Sequence, residues 1–266
     1  MPKCIGIVPH LFAKPLFDGL RYSNLSSIKF ELIEDSFVQL SIKLRQQDID
    51  GVFLSPIDYA KEHSLYRILP QVCAASRGES ETVLLVFREN LRRIKTVVID
   101  PRFSSEIVLT RIILAEKYDT IPQFVASMVS LDQALTQADA VLVVGDSAFV
   151  AKEMTNKLDL VVEWTDLTEM LFIHGFWVSR EDALTRSEMN TLIESAQQGM
   201  QNVHNIQNDL HRQYLKHFRY ELDEQALTAL GEYFRMAYYH GILKDIPDVK
   251  LHPIENTQSL TPLSLN

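Results

Sequence analysis

The sequence predicts an α/β protein of two lobes joined by two crossover segments, with a helical segment at its C-terminal end. Short apolar runs alternate with helix-compatible stretches from residue 3 to residue 178, which is the pattern of βαβ units and parallel pairing. Two runs, Thr82–Phe87 and Phe172–Val178, bracket a middle set of such units. From Arg180 onward apolar residues recur every three or four positions, which is helical. The predicted division is 1–88 with 177–266 as one lobe and 89–176 as the other. A ligand cleft is expected between them, at strand ends and helix N-termini.

In order, Lys3–Val8 reads as a strand, interrupted by Pro9 and His10, with a helix beginning near Pro15, where proline suits the first turn. Ile28–Ile33 is a second strand. Asp35-Ser36 is the expected cap of the helix that follows, and Ile49–Leu54 is a third strand ended by Ser55-Pro56. Asp58–Ser64 is helix-like and Leu69–Ala75 is another apolar run. In the middle set, Ile94–Ile99 is a strand, and Asp100–Ser105 is a turn rich in capping residues. Glu106–Tyr118 is an amphipathic helix, and Leu131–Gln137 is a helix before the strand Ala140–Val144. Leu192, Ala196, Gly199, Val203, Ile206, Leu210 and Tyr214 predict one long helix with a buried stripe. Asp223 caps a last helix that Gly241 ends. The last ten residues are expected to be disordered.

The chain carries a net charge of −9, which argues against a nucleic-acid partner but leaves room for a small anionic carboxylate substrate in a local pocket. Cys4 and Cys73 sit in apolar runs without metal spacing and are expected to be buried, reduced thiols. No metal and no cofactor is expected. Neither a signal peptide nor a membrane-length apolar run is found, so a cytoplasmic protein is expected, as a monomer or homodimer.

The run Val141–Phe149, VLVVGDSAF, reads as a buried strand, a tight turn and a helix start. Asp146 or Ser147 is expected to cap that helix, and the turn at Gly145 to aim backbone donors at an anionic ligand.

These and other segments resemble the chorismate dehydratases of the futalosine route to menaquinone. The resemblance is carried by IGIVPHLFAKPL, DIDGVFLSPIDYA, Ser76–Gly78 with TVLLVF, VVIDP leading to IVLTRIILAEKY, ADAVLVVGDSA, LDLVVEWTDLT with FIHGFW, and YLKHFRYELDEQALTALGEYF, in that order over nearly the whole chain. It implies a type II periplasmic-binding-protein-like fold. It also implies a cofactor-free hydro-lyase that removes water from chorismate to give 3-[(1-carboxyvinyl)oxy]benzoate. Such an enzyme binds two carboxylates and orients a ring while a proton and a hydroxyl depart. A non-catalytic anion-binding protein, or a lyase with an altered substrate, on the same scaffold is the alternative. A pocket too small or too acidic for two carboxylates would favour the altered substrate.

The sequence departs from the family pattern near the expected ligand. Phe12 stands where the family has an asparagine. Phe103, Ser105 and Glu106 replace a hydroxyl-rich turn, Asp35-Ser36 replaces Pro-Ser, and Glu169–Phe172 replaces Gly-Leu-Pro-Phe. The substrate-binding candidates are Ser55, Thr82, Ser104, Ser105, Gly145 and Asp146; Asp146 reads more as a cap or hinge-side hydrogen-bonding residue than as a proton acceptor. The proton-transfer candidates are His10, Glu106 and His174. Against these roles stand a solvated loop position for His10, a helix-dipole position for Glu106 and a hydrogen-bonded core position for His174.

Overall fold

The computed structural model describes residues 2–22, 28–89 and 93–253. The first strand, β1 (Lys3–Ile7), leads through a 3₁₀ turn at Leu11–Ala13 into α1 (Lys14–Tyr22). Then follow β2 (Phe30–Glu34), α2 (Phe37–Gln46), β3 (Gly51–Leu54), α3 (Pro56–Ala60) and β4 (Tyr66–Ser76). Next come β5 (Val83–Phe87), β6 (Thr96–Ile99), α4 (Ser104–Tyr118), β7 (Gln123–Ala126), α5 (Leu131–Gln137) and β8 (Ala140–Val144). After them lie α6 (Ala148–Ala151), β9 (Lys157–Asp159), α7 (Leu160–Thr168) and β10 (Phe172–Arg180). The last elements are α8 (Arg186–Gln201), α9 (Asp209–Leu215), β11 (Phe218–Leu222) and α10 (Glu224–Tyr239).

The strands form two sheets, one of six in the order β11-β4-β10-β3-β1-β2 and one of five in the order β7-β6-β8-β5-β9. In each, a parallel set (β2-β1-β3 and β7-β6-β8) is joined to antiparallel strands supplied by the crossovers. One apolar core runs through both halves: Leu54, Phe172 and Phe176 of the larger sheet belong to the same buried cluster as Leu85, Val97 and Leu142 of the smaller.

Sheet membership moves the expected boundaries. Val83–Phe87 pairs with β8 and β9 and so lies in the smaller sheet, although a cut at residue 88 assigns it to the first lobe. All of Phe172–Arg180 lies in the larger sheet, although a cut at 176/177 divides it. The chain changes sheet at 77–82 and again through α7. An apolar strand that completes either sheet has the same composition, so the sequence did not distinguish the two placements.

The capping signals act locally as expected in several places. Ser36 accepts from the Gln39 amide and Asp223 from the Ala226 amide, and Gly241 follows α10 with φ +68°. The predicted long helix over Leu192–Tyr214 is instead α8, a 3₁₀ turn and α9. α8 ends at Gln201, and Asn208 starts α9, its side chain accepting from the Leu210 and His211 amides. Cys73 is buried as expected, whereas Cys4 is half-buried; both are free thiols. Among the described residues no helix is long and apolar enough to cross a membrane. The expectation of disorder over the last ten residues falls outside the described residues.

Candidate functional site

The C-terminal ends of β1, β2, β6 and β8 converge, and the loops that leave them line a cleft of about 730 Å³. Parallel strands ending beside helix N-termini place ligand sites at such a position. His10, Asp35, Asp100, Arg102, Phe103 and Asp146 face this space, with Glu34 and Phe37 at its sides.

His10 stacks on Phe12 at 5.4 Å between ring centroids and packs against Phe103 at 5.5 Å and Phe37 at 5.9 Å. Burial pushes its pKa below the ordinary histidine value, against an upward pull from Asp146. The imidazole is therefore neutral near pH 7 and able to accept a proton. His10 is half-buried at the cleft rather than solvated in a loop.

Asp146 does not cap α6. Its Oδ1 accepts from the Leu11 amide at 3.0 Å and ties the end of β8 to the turn after β1, the hinge-side bonding alternative. Ser147 makes no side-chain cap either. Gly145 does not offer its amide to the cleft, because that N–H donates to the Thr82 carbonyl at 2.8 Å. Its φ of +66° and a Cβ position 3.2 Å from His10 Nδ1 explain why the residue is glycine.

Among the described residues Arg102 is the one guanidinium that lines this cleft, and Asp100 already neutralises it through paired hydrogen bonds at 3.0 Å from Nε and 2.5 Å from Nη2. Burial raises the Asp100 pKa, but the Arg102 hydrogen bonds outweigh it and hold the carboxyl below its usual range.

Beneath the cleft lies a floor and, under it, a polar layer. Phe12 is 1% exposed, and its ring lies 5.3 Å from His174 and 5.5 Å from Phe218. His174 is fully buried, with Nε2 2.7 Å from Ser76 Oγ, and burial pushes its pKa down to about 3. Thr82 is fully buried and hydrogen-bonds the Ser80 carbonyl and the Tyr214 hydroxyl, both at 2.9 Å.

The serines meet where α3 touches α4. Ser55 Oγ donates to Asp58 Oδ2 at 2.7 Å, and Ser104 Oγ donates to the same oxygen at 2.7 Å. Ser105 Oγ accepts from the Ile57 amide at 3.0 Å, and the Ser105 carbonyl accepts from the Tyr233 hydroxyl at 2.7 Å. Neither serine caps α4, whose N-terminal residue Phe103 has no side-chain cap. Glu106 is buried with one carboxylate oxygen unpartnered; burial pushes its pKa up to about 7, and the nearby Asp58 carboxylate adds to the rise. It sits in the first turn of α4, as the dipole placement requires, but facing inward.

Ser55, Thr82, Ser105, Glu106 and His174 are thus internal, and Ser104 is half-buried with its hydroxyl committed to Asp58. His10 and Asp146 are the candidates that reach the cleft. Glu34, Asp100 and Arg102 were not anticipated as lining. Their signal was positional, since each ends or follows a strand on the cleft side. Asp35, Phe37 and Phe103 also reach the cleft, the first and last as departures already visible in the sequence.

A family model described as menaquinone biosynthesis matches residues 4–239. The chain belongs to the menaquinone biosynthesis family. Among solved structures it is similar to protein AF1704 from Archaeoglobus fulgidus, at 15% identity and TM-score 0.68, covering 91% of this chain and 98% of that one. It is similar also to the Candida albicans CA3427 product, described as having the generic periplasmic binding protein fold. There the identity is 13% and the TM-score 0.67, over 97% of this chain and 100% of the other. The alkanesulfonate-binding protein SsuA of Xanthomonas axonopodis pv. citri, bound to MOPS, matches at 15% identity and TM-score 0.59 over 92% and 95%. At these identities the likeness is one of fold, and it agrees with the expected two-lobed, periplasmic-binding-protein-like architecture.

Proposed function

We propose that this chain is a divergent lyase of the menaquinone biosynthesis family. Its cleft takes a small ring-sized molecule bearing hydroxyl or amine donors, with less negative charge than chorismate, and His10 is the proton acceptor. One observation carries the altered substrate: four carboxylates, those of Glu34, Asp35, Asp100 and Asp146, line the cleft, where among the described residues Arg102 is paired to Asp100 and Lys43 lies 3.8 Å from Asp35. Two like charges about 4 Å apart at an effective dielectric of about 20 repel by about 4 kcal/mol. A dicarboxylate placed here meets that repulsion, offset in part by Lys14, which lines the adjoining pocket with His10, Glu34 and Asp146. Carboxylates accept hydrogen bonds, so the same wall suits a ligand that donates them. His10 supports the lyase reading, as a neutral imidazole packed between aromatic rings at the cleft.

Dehydration of chorismate to 3-[(1-carboxyvinyl)oxy]benzoate is the second reading. It is favoured by the position of Ser104, Ser105 and Glu106 one layer below the cleft, where a more open arrangement of the lobes would bring them to a ligand.

The test is purified protein with chorismate, followed by chromatography for the enolpyruvyl benzoate and by calorimetry for binding. No product and no saturable heat are expected from the wild type. The double variant Asp35→Asn, Asp146→Asn is expected to bind chorismate measurably more tightly. Product from the wild type, lost in His10→Ala, overturns the altered-substrate reading and establishes the second.

A further inference from the structure

Both sheets have two edges, and three of the four edge strands carry charge. β2 has Glu31 and Glu34, β9 has Lys157 and Asp159, and β11 has Arg219 and Glu221. Charged side chains on an edge strand keep it from pairing with another chain. The fourth edge, β7, has none. From Thr120 to Leu131 the sequence TIPQFVASMVSL contains no charged residue, in a chain whose net charge is −9. Ile121 is 90% exposed and Met128 67%, and Val125 and Val129 are exposed beside them.

The hydrogen-bonding direction of β7 is fixed by its neighbour. It pairs with β6 in parallel, and the Gln123 and Ser127 amides donate to the Lys95 and Ile99 carbonyls. In a strand, alternate residues turn their backbone groups to opposite sides, so those of Phe124 and Ala126 point to the open edge. One side of the strand is closed by Arg111, whose guanidinium lies 4.5 Å over the Phe124 ring; the edge itself is open.

We propose that β7 is a self-association edge, and that two copies of this chain join their smaller sheets antiparallel across a two-fold axis near Val125. Phe124 of one copy then faces Ala126 of the other, and the reverse, giving about four backbone hydrogen bonds. Val125 buries against its counterpart, and Ile121 lies toward Val129 of the partner subunit. A second copy is the occupant the register favours, because a two-fold at Val125 pairs the open backbone groups of Phe124 and Ala126 with those of the same residues in the other copy. Two molecules of net charge −9 repel along most of their surfaces, and this neutral stretch lets them approach without opposing like charges.

Light scattering on the eluting full-length protein tests this. The wild type is expected at twice the chain mass of 30.5 kDa. Ala126→Pro removes a backbone N–H that points away from the sheet, so the monomer keeps its fold while the dimer loses its bonds. Val125→Lys sets two ammonium groups against each other across the axis. Both variants are expected at 30.5 kDa with wild-type circular dichroism. Glu31→Lys, on the β2 edge, is expected to stay dimeric. A wild-type monomer at micromolar concentration overturns the proposal, and so does a dimer that survives both β7 variants.

Discussion

Two regions a few ångströms apart hold the same kinds of residue to opposite ends. In the layer between α3 and α4, the carboxylate of Asp58 and the hydroxyls of Ser55, Ser104 and Ser105 satisfy one another and the backbone. In the cleft above, Glu34, Asp35, Asp100 and Asp146 line open space, with Lys43 beside Asp35 and Arg102 paired to Asp100. The donors that would hold a carboxylate are sealed inside, and the acceptors are displayed. At the cleft floor the side chains packed inward are aromatic, His10 on Phe12 on Phe218, with Phe103 beside it and next in the chain to Ser104. A polar residue type in a family position is therefore not yet a site, because a neighbouring ring decides whether it reaches a ligand.

Breaking that floor has the largest expected effect. Phe12 is buried, packs on three aromatic neighbours and presents its carbonyl to the Tyr220 hydroxyl at 2.8 Å. Phe12→Ala is expected to cost about 3–5 kcal/mol in equilibrium denaturation, from lost burial and the cavity left behind. A loss below about 1 kcal/mol would mean that the ring is a movable plug rather than part of the core.

The sequence made the architecture legible where one element sufficed. Ala140–Val144, Ile49–Leu54 and the capping residues Ser36 and Asp223 act through neighbours a few positions away. It was less legible where contacts are remote. That Ser55 and Ser104 share one carboxylate depends on α3 meeting α4 across 49 residues. The inward aim of Glu106 did have a signal. Leu109, Thr110 and Ile113, three, four and seven positions on, are all buried, so Glu106 lies on the core-facing side of α4. The His10–Phe12 stack was hidden because two residues of an irregular loop have no periodicity to read.

Charging the sealed layer has the next effect. In the folded chain Glu106 titrates near 7, well above an unfolded glutamate. The native state therefore holds a proton that the unfolded state has released, and stability falls as pH rises from about 4.5 through 7. The full penalty, roughly 3 kcal/mol, is reached above the folded pKa. Glu106→Gln is expected to flatten this slope and to be the more stable protein at about pH 8, with little difference at about pH 5. Parallel pH profiles of the two denaturation midpoints would place Glu106 outside the apolar interior.

On the cleft side the expected effect is smallest. Asp146 is exposed, and among the described residues its hydrogen bond is to the Leu11 amide. Asp146→Ala removes an acceptor that water replaces, so global stability should fall by no more than about 1 kcal/mol. The change should appear locally, as roughly fivefold faster hydrogen exchange at Leu11, the amide that has lost its partner. Asp146→Asn keeps an acceptor oxygen and should restore most of that protection while removing one negative charge from the cleft. If both variants instead lost more than about 2 kcal/mol, Asp146 would belong with the sealed layer as a fixed structural group, and the contrast between floor and cleft would move one residue outward.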